Sequence, residues 1–353
     1  MRLSSGVLNA LAAAALFGAS TPLAKTLVGE IPPVLLAGLL YAGSGVGLAA
    51  GLLIRRVAIG GASSQEFAWP RRHDIGWLAG SILFGGVLGP VLLMLGLTST
   101  AASVGALLLN LEAVFTASLA WFVFHENFDR RVAAGMGLII IGGLVLSWTP
   151  RHIAVSTGAL FIAAACLCWA IDNNLTRKVS ASDAMVIACV KGLVAGAVNT
   201  SVAVFMGAAI PSLSATAAAA VVGLAGYGIS LTLFVLALRD LGTARTGAYF
   251  SAAPFFGAIL AILLQGETIS WQLVVASLLM AVGVWLHITE HHAHLHAHDA
   301  QEHTHPHSHD EHHHHSHDFA WDGREPHTHA HVHEPLIHAH PHYPDVHHRH
   351  PHS

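Results

Sequence analysis

The chain has 353 residues, of which 54% are hydrophobic and only 10% charged, with a mean hydropathy of +0.58. Soluble domains carry about 25% charged residues; a soluble fold of this length cannot hide so much apolar surface, so most of the chain must face lipid. The net charge of −4 joins two unlike regions, since residues 1–289 hold 14 Lys and Arg against 10 Asp and Glu, whereas residues 290–353 hold 2 against 10.

A spanning helix needs about 20 apolar residues. Ten candidates follow in order: 6–28, 32–54, 75–98, 101–124, 132–149, 155–177, 184–208, 216–239, 243–264 and 271–289. The first has Arg2, an apolar run and then Gly18-Ala19-Ser20, as a secretory leader would. The apolar stretch resumes after Pro22, so a retained span is expected. Placing the N-terminus in the cytoplasm puts eleven Lys and Arg of the joins inside and only Lys25 and Arg151 outside. The positive-inside rule therefore puts both termini of a ten-span chain in the cytoplasm, in the cell's cytoplasmic membrane. Cys166, Cys168 and Cys189 form no disulfide framework and read as small packing residues.

The chain repeats itself. Phe17-Gly18-Ala19-Ser20-Thr21-Pro22-Leu23-Ala24-Lys25 overlies Trp169-Ala170-Ile171-Asp172-Asn173-Asn174-Leu175-Thr176-Arg177. At an offset of 141, His125-Glu126 falls on Gly266-Glu267, Ala113 on Pro254 and Gly142 on Gly283. Each half holds five spans, an odd number, so the second enters the membrane from the opposite side. This is the inverted repeat of many secondary transporters. The expected fold is an all-α membrane protein of ten transmembrane helices, with units at 1–150, 151–289 and a tail at 290–353.

Several landmarks resemble the drug/metabolite transporter superfamily, EamA type. They are the Trp169–Lys178 segment, Asn110-Leu111-Glu112-Ala113, the acids Glu126 and Glu267 after spans four and nine, and Leu241–Tyr249 opening span nine. That family often has Pro where Ala113 stands and Gly where His125 stands. The resemblance covers residues 1–289 and implies secondary transport without ATP.

Polar residues at membrane depth are the candidate pathway. Glu112 lies midway along span four, where a charge costs roughly 2.5–3.5 kcal/mol; protonation can relieve that cost, making it a candidate proton carrier or cation ligand. Thr116 shares its face one turn on, and Asn110 points elsewhere. Asp172 and Lys191 lie at matching depths on consecutive spans, which predicts an ion pair or shared water site. Asn173, Asn174 and Asn199 either line the pathway or join helices. Lys25 and Arg177 are expected to snorkel to headgroups, and Glu126 and Glu267 to cap the following helices. No catalytic triad, phosphate loop or metal-ligand set lies at depth, so an enzyme is not expected, and nothing points to nucleic acid.

After Glu290 the apolar pattern stops. Of 29 His, 25 lie between His291 and His352, mostly as His-x-His. No core can form from this composition, so disorder is expected. Imidazole suits zinc, nickel and cobalt, and the candidate ligands are His291, His292, His294, His296, His298, His303, His305, His307, His309, His312, His313, His314, His315 and His317. No cofactor is required by the rest of the chain. The expected partners are the bilayer, a small-molecule or ion substrate, and divalent metals on the tail. The leading reading is a carrier of a small solute, exporting by family habit. The alternatives are a transition-metal exporter fed by the tail and a metal-responsive membrane sensor. His73, His125 and His152 lie in joins and His287 at a span end, so a metal path would rest on Glu112, Asp172 and Asn oxygens, poor selectors of soft ions.

Overall fold

The computed structural model describes residues 5–58, 74–124, 130–149, 152–179, 183–241, 243–288, 292–298, 301–307, 327–333 and 336–342. It divides into two units, residues 1–290 and 291–353.

The first unit is helical. Its elements are α1 (Ser5–Val28), α2 (Pro33–Ala58), α3 (Ile75–Ser81), α4 (Gly89–Ser99), α5 (Ala102–Leu108), α6 (Leu111–Phe124), α7 (Arg130–Ser147), α8 (Thr157–Val179), α9 (Ala184–Phe205), α10 (Leu213–Gly223), α11 (Ser230–Leu241), α12 (Thr243–Phe250), α13 (Ala253–Gln265) and α14 (Trp271–Ile288). A two-strand ladder, β1 (Trp148–Thr149) with β2 (His152–Val155), joins the halves. Among the described residues, eight helical segments are long and apolar enough to cross a bilayer, and Ala253–Gln265 and Trp271–Leu286 are shorter apolar helices. Together they make the ten spans of a multi-pass membrane protein.

The two halves deform at matching places. Span three runs through α3, a π-helical stretch at Ile82–Leu88 and α4; span eight runs through α10, a π-helical stretch at Leu224–Ile229 and α11. Span four is interrupted between α5 and α6, and span nine between α12 and α13. From sequence, Pro90 in span three and Pro254 in span nine are expected to break helical bonding, whereas spans four and eight read as plain; the interruptions have local causes. Pro254 brings no backbone N–H into the first turn of α13, so the helix restarts there. At Asn110 the side-chain amide donates to the Leu107 carbonyl at 2.9 Å, offering the backbone an alternative to the helical ladder.

Packing repeats with the same symmetry. Spans two and seven cross each other (α2 on α9), as do spans five and ten (α7 on α14). The α4–α8 contact has its image in α1–α11, and α6–α8 in α1–α13. Small residues permit the closest crossings. A methyl on Gly192 would sit 2.7 Å from the Cα of Gly45, and one on Gly18 would sit 2.2 Å from the Ala253 carbonyl. Lipid gives helices no hydrophobic reason to associate, so close backbone approach of this kind supplies the cohesion. Large apolar side chains such as Leu53, Ile54, Phe122 and Leu263 lie outside, each more than 60% exposed.

In the second unit the described backbone forms two antiparallel pairs, β3 (His292–His298) with β6 (Leu336–His342) and β4 (Gln301–His307) with β5 (His327–His333). The expectation from composition is a disordered tail without a core. The His-x-His alternation is itself the period of a strand, so its backbone can pair locally even where there is no apolar layer. Of the proposed ligands, His292, His294, His296, His298, His303, His305 and His307 fall on these strands. His291, His309, His312, His313, His314, His315 and His317 lie outside the described residues, as do His125 and Glu126.

Candidate functional site

The π-helical stretch of span three organises the polar residues. Its glycines, Gly85 and Gly86, are buried against α8 and α9. A Cβ on Gly85 would lie 1.9 Å from Asp172 Oδ2, so only glycine leaves room for that carboxylate. Three successive carbonyls of the stretch take side-chain donors. Tyr41 Oη donates to the Gly85 oxygen at 2.7 Å and Trp169 Nε1 to the same oxygen at 3.0 Å. Asn199 Nδ2 donates to Gly86 at 3.2 Å and to Val87 at 3.4 Å. Irregular backbone persists at membrane depth only where protein or trapped water satisfies it, and these three side chains do so.

Asp172 is 6% exposed and fully engaged. Ser81 Oγ donates to its Oδ1 at 2.5 Å and Thr176 Oγ1 to the same oxygen at 3.0 Å. Lys191 forms an ion pair with Oδ2 and reaches Ser81 Oγ at 3.3 Å. Four residues from spans three, six and seven thus share one charge-neutral cluster. Sequence reasoning missed Ser81 and Thr176 in this cluster, and Tyr41 and Trp169 beside it on the Gly85 carbonyl. Their signal was a serine inside an apolar span, a threonine one turn after Asp172, a tyrosine in span two and a tryptophan one turn before Asp172.

Glu112 stands one step away. It is the second residue of α6, just after the break, where the helix dipole favours negative charge; its own N–H and that of Ala113 are taken by the Leu109 and Asn110 carbonyls. Asn173 Nδ2 donates to its Oε1 at 2.7 Å. Asn173 follows Asp172 on α8, so the same helix presents one acid and the partner of the other. The other named residues separate from this group. Asn110 turns toward α14, with Nδ2 3.7 Å from Met280 Sδ. Asn174 donates to the Ala170 carbonyl of its own helix at 2.8 Å. Thr116 Oγ1 is buried and without a hydrogen-bond partner.

Two sequence expectations are corrected. Lys25 does not reach for headgroups; its ammonium donates to the Leu97 carbonyl near the end of α4, where helix carbonyls lack internal partners. Glu267 does not cap the helix that follows it. It accepts from the backbone N–H groups of Ala102 at 2.7 Å and Ser103 at 3.0 Å, and from the Ser103 hydroxyl, at the start of α5 in the other half. Asp183 does cap its own helix, accepting from Met185 N at 2.9 Å. The Arg177 side chain is outside the described residues.

The repeat also pairs Asp172 with Ser20. Just as Asp172 lies over Gly85, the Ser20 Cβ lies where a methyl on Gly226 would be, 2.4 Å from that position. Both halves build the same glycine niche, and only the second fills one with a charge. Replacing Gly85 by Ala must displace Asp172 or the π-helical stretch, and overpacking of this kind costs about 1–3 kcal/mol. Gly85→Ala is expected to lower the melting midpoint of the purified protein in detergent, as read by tryptophan fluorescence.

Known proteins share this plan. The chain is 29% identical over 303 residues to an uncharacterized transporter of Methanothermobacter thermautotrophicus, covering 81% of this chain and 87% of that one. It is 25% identical over 283 residues to the uncharacterized transporter YyaM of Bacillus subtilis, covering 76% and 88%. A shorter stretch of 81 residues is 41% identical to a probable amino-acid metabolite efflux pump of Salmonella typhimurium, covering 22% of this chain and 27% of the pump. A solved crystal structure superposes with a TM-score of 0.59 at 20% identity, covering 81% of this chain and 97% of its own, which shows the fold. The model of the EamA-like transporter family matches residues 4–148 and again 156–289, so both halves carry it and the chain belongs to the EamA-like transporter family.

Proposed function

We propose that this transporter moves a small organic solute across the cytoplasmic membrane by alternating access, outward from a cytoplasm that holds both termini. The observation that carries the reading is the placement of Glu112. It is a carboxylate at the restart of a broken span, bonded to Asn173 and adjoining the neutral Asp172–Lys191 cluster. Discontinuous helices near the midplane are where transporters of inverted-repeat build hold substrate and coupling ions. With Asp172 offset by Lys191, Glu112 is the acid left to bind a cationic group of the solute or a coupling proton. Asn173 and the α6 N-terminus orient it. The stretch shared with the amino-acid metabolite pump supports amino acids as the first class to screen.

The test is a substrate screen on protein reconstituted in proteoliposomes, with amino acids, other small metabolites and transition metals side by side. Counterflow of an amino acid supports the reading; flux of metals alone would replace it with the second one.

That second reading is a transition-metal exporter, favoured by the 25 His of residues 291–353. It asks Glu112, Asp172 and amide oxygens to select soft ions, which they do poorly. In the reading preferred here the tail binds zinc, nickel or cobalt and adjusts a carrier that works without it. Deleting residues 291–353 is therefore expected to leave solute flux within about twofold while removing its response to added zinc, since both family repeats lie within residues 4–289. Complete loss of flux would instead favour a tail-fed metal path or a sensor.

A further inference from the structure

At one end of the membrane unit the two halves are joined by contacts outside the candidate pathway. Glu267, in the turn between α13 and α14, holds the first N–H groups of α5 and the Ser103 hydroxyl. Gln265, at the end of α13, donates to the Pro22 carbonyl of α1 at 2.9 Å. Lys25, one turn beyond Pro22, donates to the Leu97 carbonyl of α4. Below them, Gly18 of α1 and Gly257 of α13 meet backbone to backbone, since a methyl on Gly257 would sit 2.7 Å from the Gly18 carbonyl. Glu267 and Gln265 tie the second half to α5 and α1 of the first, and Lys25 braces α1 against α4 within that half. Each of the two held by Glu267 and Gln265 joins opposite halves, so neither can persist if the halves part at this end.

We propose that Glu267, Gln265, Ser103 and Lys25 form a clasp that holds this end of the transport path shut, and that Glu267 is its release point. A carboxylate is suited to that task. It accepts three donors at once, charge-assisted and aligned with the α5 dipole, and a single side-chain swing frees all three. Gly266, at φ +62°, gives the turn a left-handed residue from which that side chain is aimed. A static helix cap would serve as well from the residue preceding α5, whereas this acid comes from span nine, which packs α13 against α1 and α5. The clasp rests on the alternating-access reading above, but its test needs no substrate.

The probe is Ser20→Cys, at a site 2% exposed and five residues below Lys25 on α1, in a chain whose Cys166, Cys168 and Cys189 are replaced by Ala. The protein is held in lipid nanodiscs and labelled with a charged thiol reagent. Glu267→Ala is expected to raise the labelling rate about tenfold or more, the scale of losing charge-assisted hydrogen bonds. Glu267→Gln, which keeps one acceptor, and Ser103→Ala are expected to raise it less, in that order. Should Glu267→Ala fail to elute as a single species, the latter two carry the test. Labelling rates equal to the parent in all folded variants would overturn the clasp and leave transport untouched. A failed substrate screen with raised labelling would do the reverse.

Discussion

Glu112→Gln is expected to abolish coupled flux while leaving expression, chromatographic behaviour and melting close to the parent protein. The amide keeps a carbonyl oxygen that can accept from Asn173 at the position now 2.7 Å away, so the local contact survives. What disappears is the charge and the proton it exchanges. An ionisable group at this depth is costly to keep unless it acts on a passing ion or substrate, so the loss should reach about tenfold or more in initial rate. The measurement is counterflow in proteoliposomes for the solute found in the screen. A fully active Gln variant would remove Glu112 from the mechanism and leave the Asp172 cluster as the sole candidate.

The Asp172–Lys191 pair should behave differently, failing in folding before function. Each single reversal, Asp172→Lys or Lys191→Asp, sets two like charges together in a buried site, and breaking a buried pair costs about 3–5 kcal/mol. Both singles are expected to aggregate or melt far earlier than the parent. The double reversal restores opposite charges and should recover most of the folded yield. Recovery will be incomplete, because Ser81 and Thr176 now donate to a carboxylate oxygen at position 172 and would have to turn to accept from an ammonium. Fluorescence-detected size exclusion of the three variants reads this directly. Equal loss in the singles and the double would show that the ion pair itself stabilises nothing.

Much of this architecture was legible in the residues. Span count follows from apolar run length, and the inverted repeat follows from an odd number of spans with Glu126 and Glu267 at one offset. Matching depth was enough to bring Asp172 and Lys191 together. What could not be read was any contact set by backbone irregularity. Pro90, just after the π-helical stretch at Ile82–Leu88, has no N–H for the carbonyls behind it, but the sequence does not say that Tyr41, Trp169 and Asn199 collect them. Glu267 was legible as a cap but not as one for a distant helix, because the order of spans along the chain does not say which ends of the two halves abut. The direction of Asn110 was legible, because two positions along a helix point to different sides, and it spends its amide on Leu107.

The self-paired crossings have a mechanical consequence. If the two halves trade conformations during a cycle, every contact becomes its image: α4–α8 becomes α1–α11, and the surroundings of Glu112 come to resemble those of its counterpart on span nine. Spans two and seven are images of each other, so their crossing at Gly45 and Gly192 maps onto itself and is the same at both ends of the stroke. In the proposed cycle it would serve as the axle, a place where bare backbone bears on bare backbone while what surrounds it turns.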